Sequence, residues 1–122
     1  MTQKRHFPKS FARKLAAMPF DTAEEAWFWF VRSQQLRREG ARLDEGRADF
    51  GRPCDPDDVY CAVMSLARQG CLDRAHLGVL GKFGLEGRPP DFRRSDELPS
   101  SRLWTEALER LAGVLRAKDI LA

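Results

Sequence analysis

Apolar side chains return every three or four positions along most of this chain, and nowhere do they alternate with period two over the length of a strand. A segment with that period buries one stripe and closes its backbone hydrogen bonds within itself, so the pattern predicts helix throughout. Five segments carry it. Phe7, Phe11, Leu15 and Met18 form a short stripe after Pro8, among basic residues, and Pro19 ends it. Asp21-Thr22-Ala23-Glu24-Glu25 reads as a helix start, with capping boxes available to Thr22 and Glu25 or to Asp21 and Glu24. The helix that follows ends at Gly40 or runs on to Gly46. Asp55-Pro56-Asp57-Asp58 is a third start, combining a cap, a first-turn proline and acids that suit the helix dipole. Val59, Ala62, Val63, Leu66 and Ala67 give its stripe, and Gly70 its stop.

A fourth helix follows at once, with Leu72, Ala75 or His76, Leu77, Val79, Leu80 and Phe83 as its face and Gly84 and Gly87 as its end. The fifth is capped by Ser100 or Ser101 and buries Leu103, Trp104, Ala107, Leu108, Leu111, Val114 and Leu115, with Glu106 and Arg110 as an i, i+4 pair on the outside. Residues 46–54 and 84–100, rich in glycine and proline, read as connections. The expected architecture is an all-α small helical bundle of four main helices plus a short basic N-terminal helix. Residues 1–20 form an arm and residues 21–122 a single helical domain.

A chain of 122 residues with 43% apolar side chains is long enough to bury a core. It contains no run of about 18 apolar residues, so no membrane partner is expected. The basic start lacks the apolar stretch of a secretory leader, although its amphipathic, acid-free character has something of a transit peptide. Cys54, Cys61 and Cys71 are odd in number and form no C-x-x-C, so they read as mostly buried thiols in a reducing, cytoplasmic setting. The net charge of +3 is unevenly spread. Lys4, Arg5, Lys9, Arg13 and Lys14 meet no acid in the arm, while the rest of the chain is slightly acidic. A cationic arm suits an acidic partner such as nucleic acid.

Four constellations bear on function. The pair of helices over 55–84, with small or apolar residues near the turn, resembles a helix-turn-helix. Cys71 takes the turn position where glycine is usual, and Arg74 and His76 open the second helix, which otherwise holds few side chains suited to base edges. A plain helical hairpin accounts for the same pattern. The block Trp27, Phe28, Trp29 and Phe30 cannot be buried by one helix face, because successive residues point about 100° apart. Either the helix is covered on several sides, or Phe28 or Trp29 is exposed for a partner. Arg37 and Arg38 follow this block, together with Arg32, Arg42 and Arg47.

Arg88, Arg93 and Arg94, with Arg102 beyond, flank the second proline-rich connection. There they either contact phosphate or pair locally with Asp91, Asp96 and Glu97. The spacings among Cys54, Cys61, Cys71 and His76 do not resemble a structural zinc site, and neither a metal nor another cofactor is expected. Cys54 beside Asp55 lacks a base close in sequence, and His76 reads as a packed or capping residue, so no catalytic role is expected.

The runs EEAWFWFVRSQQLRREGARL, RPCDPDDVY and LW-x-EAL-x-RL-x-x-VLRAK resemble a family of small, uncharacterised helical bacterial proteins. The resemblance covers most of the chain from Thr22 and implies a bacterial cytoplasmic source, without assigning an activity. The expectation is a non-enzymatic regulatory protein that binds DNA or the transcription machinery. Lys4, Arg5, Lys9, Arg13, Lys14, Arg74, Arg88, Arg93 and Arg94 would make its nucleic-acid contacts. The alternative is a protein-interaction adaptor or homodimer built on Trp27, Phe28, Trp29, Arg37 and Arg38. No small-molecule substrate is evident.

Overall fold

The computed structural model describes residues 18–40 and 54–122. The expected N-terminal helix, the five cations of the arm, and Arg42 and Arg47 lie outside the described residues. Within them the chain forms α1 (Ala23–Arg38), α2 (Pro56–Arg68), α3 (Arg74–Glu86) and α4 (Leu98–Ala117), and no strand.

Each helix begins for a local reason. Thr22 caps α1, its hydroxyl accepting the Glu25 N–H at 3.1 Å, while the Glu25 carboxylate reaches back to the Asp21 N–H at 2.9 Å. α1 ends at the first of the two expected stops, with Gly40 left-handed at φ +75. At α2 the Asp58 carboxylate accepts the Asp55 N–H at 3.0 Å, and Gly70 turns the chain out at φ +82. At α3 the Asp73 carboxylate accepts the His76 N–H at 3.1 Å.

One boundary meets the expectation and the next departs from it. α3 is closed by Gly87 at φ +74, the second of its two expected end glycines, while the first, Gly84, is an interior residue of the helix. α4 starts at Leu98, ahead of both serines, because Pro99 fits a first helical turn where no N–H is needed. The expected pairing of Glu106 with Arg110 gives way to longer reaches: Glu106 to His76, and Arg110 to the Cys71 carbonyl at 3.0 Å.

α1 and α4 pack together as the central pair, and α2 and α3 each rest on both of them rather than on one another. The core runs through Trp27, Phe30 and Val31 of α1, Val59, Val63 and Leu66 of α2, Leu80 and Phe83 of α3, and Trp104, Leu111 and Leu115 of α4. Phe20, fully buried, joins the two ends of the described chain. Its N–H donates to the Ile120 carbonyl at 3.0 Å, and its carbonyl accepts from the Ala122 N–H at 2.9 Å, an isolated parallel bridge. None of the described helices is long and apolar enough to cross a membrane.

Candidate functional site

α1 resolves the problem of four consecutive aromatics by being covered on several sides. Trp27 and Phe30 are buried, and Phe28 and Trp29 are half-buried. Each ring has an aromatic neighbour: Trp29 lies 5.1 Å from Phe20, Phe28 5.5 Å from Trp104, and Phe30 5.9 Å from Tyr60, while Trp27 and Phe30 stand 5.2 Å apart. Trp27 also sets how closely α1 approaches α3. Its Nε1–H donates to the Leu80 carbonyl at 2.9 Å, and a Cβ on Gly84 would lie only 2.8 Å from that nitrogen. Glycine at 84 is therefore what lets the indole reach the backbone of α3.

Beside that contact the described residues leave a surface depression over side chains that are themselves buried. A groove of about 370 Å³ runs along α1 between α2 and α3. Trp27, Phe30 and Val31 form its floor, and Tyr60 and Leu85, 48% and 59% exposed, form its walls. Gln34, Gln35 and Arg38 line its α1 edge, and Gly81 leaves bare helix backbone on the α3 side. Beyond Leu85 a second hollow is lined by Phe28, Arg32, Leu36 and Glu39. Arg32 and Arg38 are both exposed and have no carboxylate partner among the described residues. Arg37 reaches Asp57 at 3.8 Å with both side chains exposed, a weak pair.

The arginines of the connection between α3 and α4 are arranged differently. Arg88 makes a two-pronged contact with the Glu97 carboxylate at 3.0 and 2.8 Å, lies over the Phe83 ring, and also touches Glu86. The same Glu97 carboxylate accepts the Asp91 N–H at 2.7 Å. The guanidinium of Arg88, then that N–H, hold the Glu97 carboxyl down at about 2, and Glu97 in turn raises Arg88. The Arg93 backbone N–H and side chain both donate to Asp91, which lowers its carboxyl; Arg94 is raised by its pair with Asp96. These are the local pairs that the sequence offered as the alternative to phosphate contact. The loop they fix presents Phe92, 66% exposed.

Arg74 is exposed at the start of α3. His76, one turn in, is buried and fully engaged. Its Nδ1 accepts the Asp73 N–H at 3.1 Å, which leaves the proton on Nε2 to donate to Glu106 at 2.9 Å. The His76 N–H, first among the causes, lowers the Asp73 carboxyl. The histidine is thus both a cap and a strut between α3 and α4. The cysteines depart from the expectation of buried thiols. Cys61 lies on the outer side of α2, opposite its apolar stripe, and Cys71 stands exposed in the turn after Gly70. Among the described residues no three metal-binding side chains converge.

Sequence reasoning named Trp27 and Arg38 but missed the groove itself. Its walls come from residues just off the predicted stripes, Tyr60 and Leu85. A signal was present in the glycines at 78, 81 and 84, an uncommon density for a helix interior. Nothing matches this chain among protein-family models, curated proteins or solved structures.

Proposed function

We propose that this chain is a non-enzymatic protein-interaction module whose groove along α1 receives an apolar segment of a partner protein. The observation that carries the reading is a groove along α1 flanked by two large exposed side chains, Tyr60 and Leu85. A photo-reactive residue placed at Tyr60 or at Leu85 in the native cell should form a discrete adduct with another protein. One placed at exposed Thr105 on α4 should not, and Gly81→Leu, which fills the groove, should abolish the adduct. Adducts only between copies of this chain would identify a homodimer instead. Absence of adducts at both groove positions overturns the proposal.

The second reading, a regulatory protein on DNA or the transcription machinery, rests on the concentration of cations in residues 1–20. In this reading Arg74 adds a contact at the start of α3, and the segment 55–84 serves as a helix-turn-helix-like docking unit. The pairing of Arg88, Arg93 and Arg94 with neighbouring carboxylates weighs against that loop as a phosphate clamp. DNA binding by this route would weaken steeply with salt, and neutralising Lys4, Arg5, Lys9, Arg13 and Lys14 would flatten the salt dependence. Binding indifferent to both removes it.

A further inference from the structure

The usual capping box places glutamate or glutamine three residues after the cap, where an oxygen accepts the cap's own N–H. α3 places His76 there, after Asp73. An imidazole does the work of that oxygen only while its Nδ1 carries no proton, because a protonated ring nitrogen donates and cannot accept. The ring is buried, so its nitrogens depend on the protein groups around them.

Those groups are arranged for two states. Nδ1 lies 3.1 Å from the Asp73 backbone nitrogen and also 3.1 Å from Asp73 Oδ1. With Nδ1 bare, the Asp73 N–H donates to it, and Oδ1 accepts the His76 N–H. With Nδ1 protonated, the Asp73 N–H faces another donor, and Oδ1 becomes the acceptor for the ring. On the other side, Nε2 stands 2.9 Å from Glu106 Oε1 and 3.4 Å from Arg110 Nη1, both on α4. The bond from Nε2 to Glu106 serves either state. The charged groups that face the ring among the described residues are thus two carboxylates, Asp73 and Glu106, and one guanidinium, Arg110. Arg110 also holds the Cys71 carbonyl at 3.0 Å, and a positive ring repels it. The two contacts that a proton weakens, at the Asp73 N–H and at the Cys71 carbonyl, fix the same turn after Gly70.

We propose that His76 is a proton-operated latch on the turn between α2 and α3. One proton taken from solvent at Nδ1 breaks the bond from the Asp73 N–H, leaves a cation between Asp73 and Glu106, and pushes Arg110 off the Cys71 carbonyl. With the ring neutral, the turn is held from both α3 and α4. With the ring charged, the turn is released while α3 stays joined to α4 through Nε2 and Glu106. His76 lies outside the linings of the groove and of the neighbouring hollow, so the latch operates whatever partner the groove takes.

The test is nuclear magnetic resonance on the full chain from about pH 8 to about pH 5, the range in which histidine side chains change charge. At the start, the ring nitrogen shifts should place the proton on Nε2. As the ring charges, protection of the Asp73 N–H against hydrogen exchange should fall about fivefold, the loss of one hydrogen bond. The carbonyl carbon of Cys71 should shift along the same curve. The Glu25 N–H, held by the Thr22 hydroxyl, is the reference and should keep its protection. His76→Gln, whose side-chain oxygen accepts an N–H but takes up no proton in this range, should remove the pH dependence at Asp73 and Cys71. Should that variant not fold, the curves of the unaltered chain decide alone. A ring that begins with its proton on Nδ1, or that stays uncharged throughout, overturns the latch. So does an Asp73 N–H or a Cys71 carbonyl that does not follow the ring, or a pH dependence that survives in His76→Gln.

Discussion

The α3–α4 connection and the groove along α1 both look, in sequence, like arginine-bearing surfaces, and the fold treats them in opposite ways. In the connection, Arg88, Arg93 and Arg94 each have a carboxylate within ten residues, and the backbone folds so that each meets it. On α1, Arg38 lines the groove and Arg32 the neighbouring hollow, each in a lining that also holds an acid, Asp57 and Glu39, and neither arginine makes a carboxylate contact among the described residues. The number of arginines therefore says little about available charge. What decides it is whether a carboxylate lies within reach along a chain free to bend toward it. The connection uses its charge to fix its own shape, and the two α1 arginines take no such part among the described residues.

That contrast can be broken at several points. The largest effect is expected beneath the groove. Trp27→Ala removes a buried ring and its hydrogen bond to Leu80, and should cost about 3–5 kcal/mol in urea unfolding. A much smaller loss would mean that the floor is not held as described. Gly84→Ala should lower stability by about 1–3 kcal/mol, against the usual gain from replacing a helical glycine, because the new methyl meets Trp27. A gain would remove the close approach of α1 and α3.

In the connection, the folded carboxyl of Glu97 sits at about 2 against an ordinary 4.5, so its contribution is present above 4.5 and disappears as the pH falls through 2. Glu97→Gln should lower the thermal midpoint at neutral pH and flatten the loss of stability on acidification across that window. An unchanged acid profile would show that the Arg88–Glu97 contact does not hold the loop. The smallest effect belongs to the groove's wall: Leu85→Ala should change stability by no more than about 0.5 kcal/mol while reducing cross-linking to a partner. A large loss of stability would recast Leu85 as core.

The helical class and most helix starts were readable because they depend on neighbours in sequence: Thr22 and Glu25 at α1, and Asp55 and Pro56 at α2. The errors came where distant residues decide. Of the two glycines that read as the end of α3, Gly87 closes it, and Gly84 serves another purpose that only a residue remote in sequence reveals, the space taken by Trp27. Ser100 and Ser101 read as caps, but Pro99 is accommodated within the first turn and the helix begins before them. Glu106 and Arg110 have the spacing of a pair, yet His76 and the Cys71 carbonyl offer them partners across the bundle. The aromatic block was legible as needing several covering surfaces, with Phe28 or Trp29 as the less covered rings, and both are half-buried, but the elements that would cover it were not legible. That depends on where α2 and α3 settle, which no periodicity encodes. Cys61 and Cys71 were misjudged because a thiol's burial follows from its angular position and from the turn, not from its mean preference.

The bridge between Phe20 and the Ile120–Ala122 segment has a mechanical consequence. The segment entering α1 and the segment leaving α4 run side by side in the same direction, fastened by two backbone hydrogen bonds and a buried ring. Tension applied between residues 18 and 122 would load that clasp before any helix felt it.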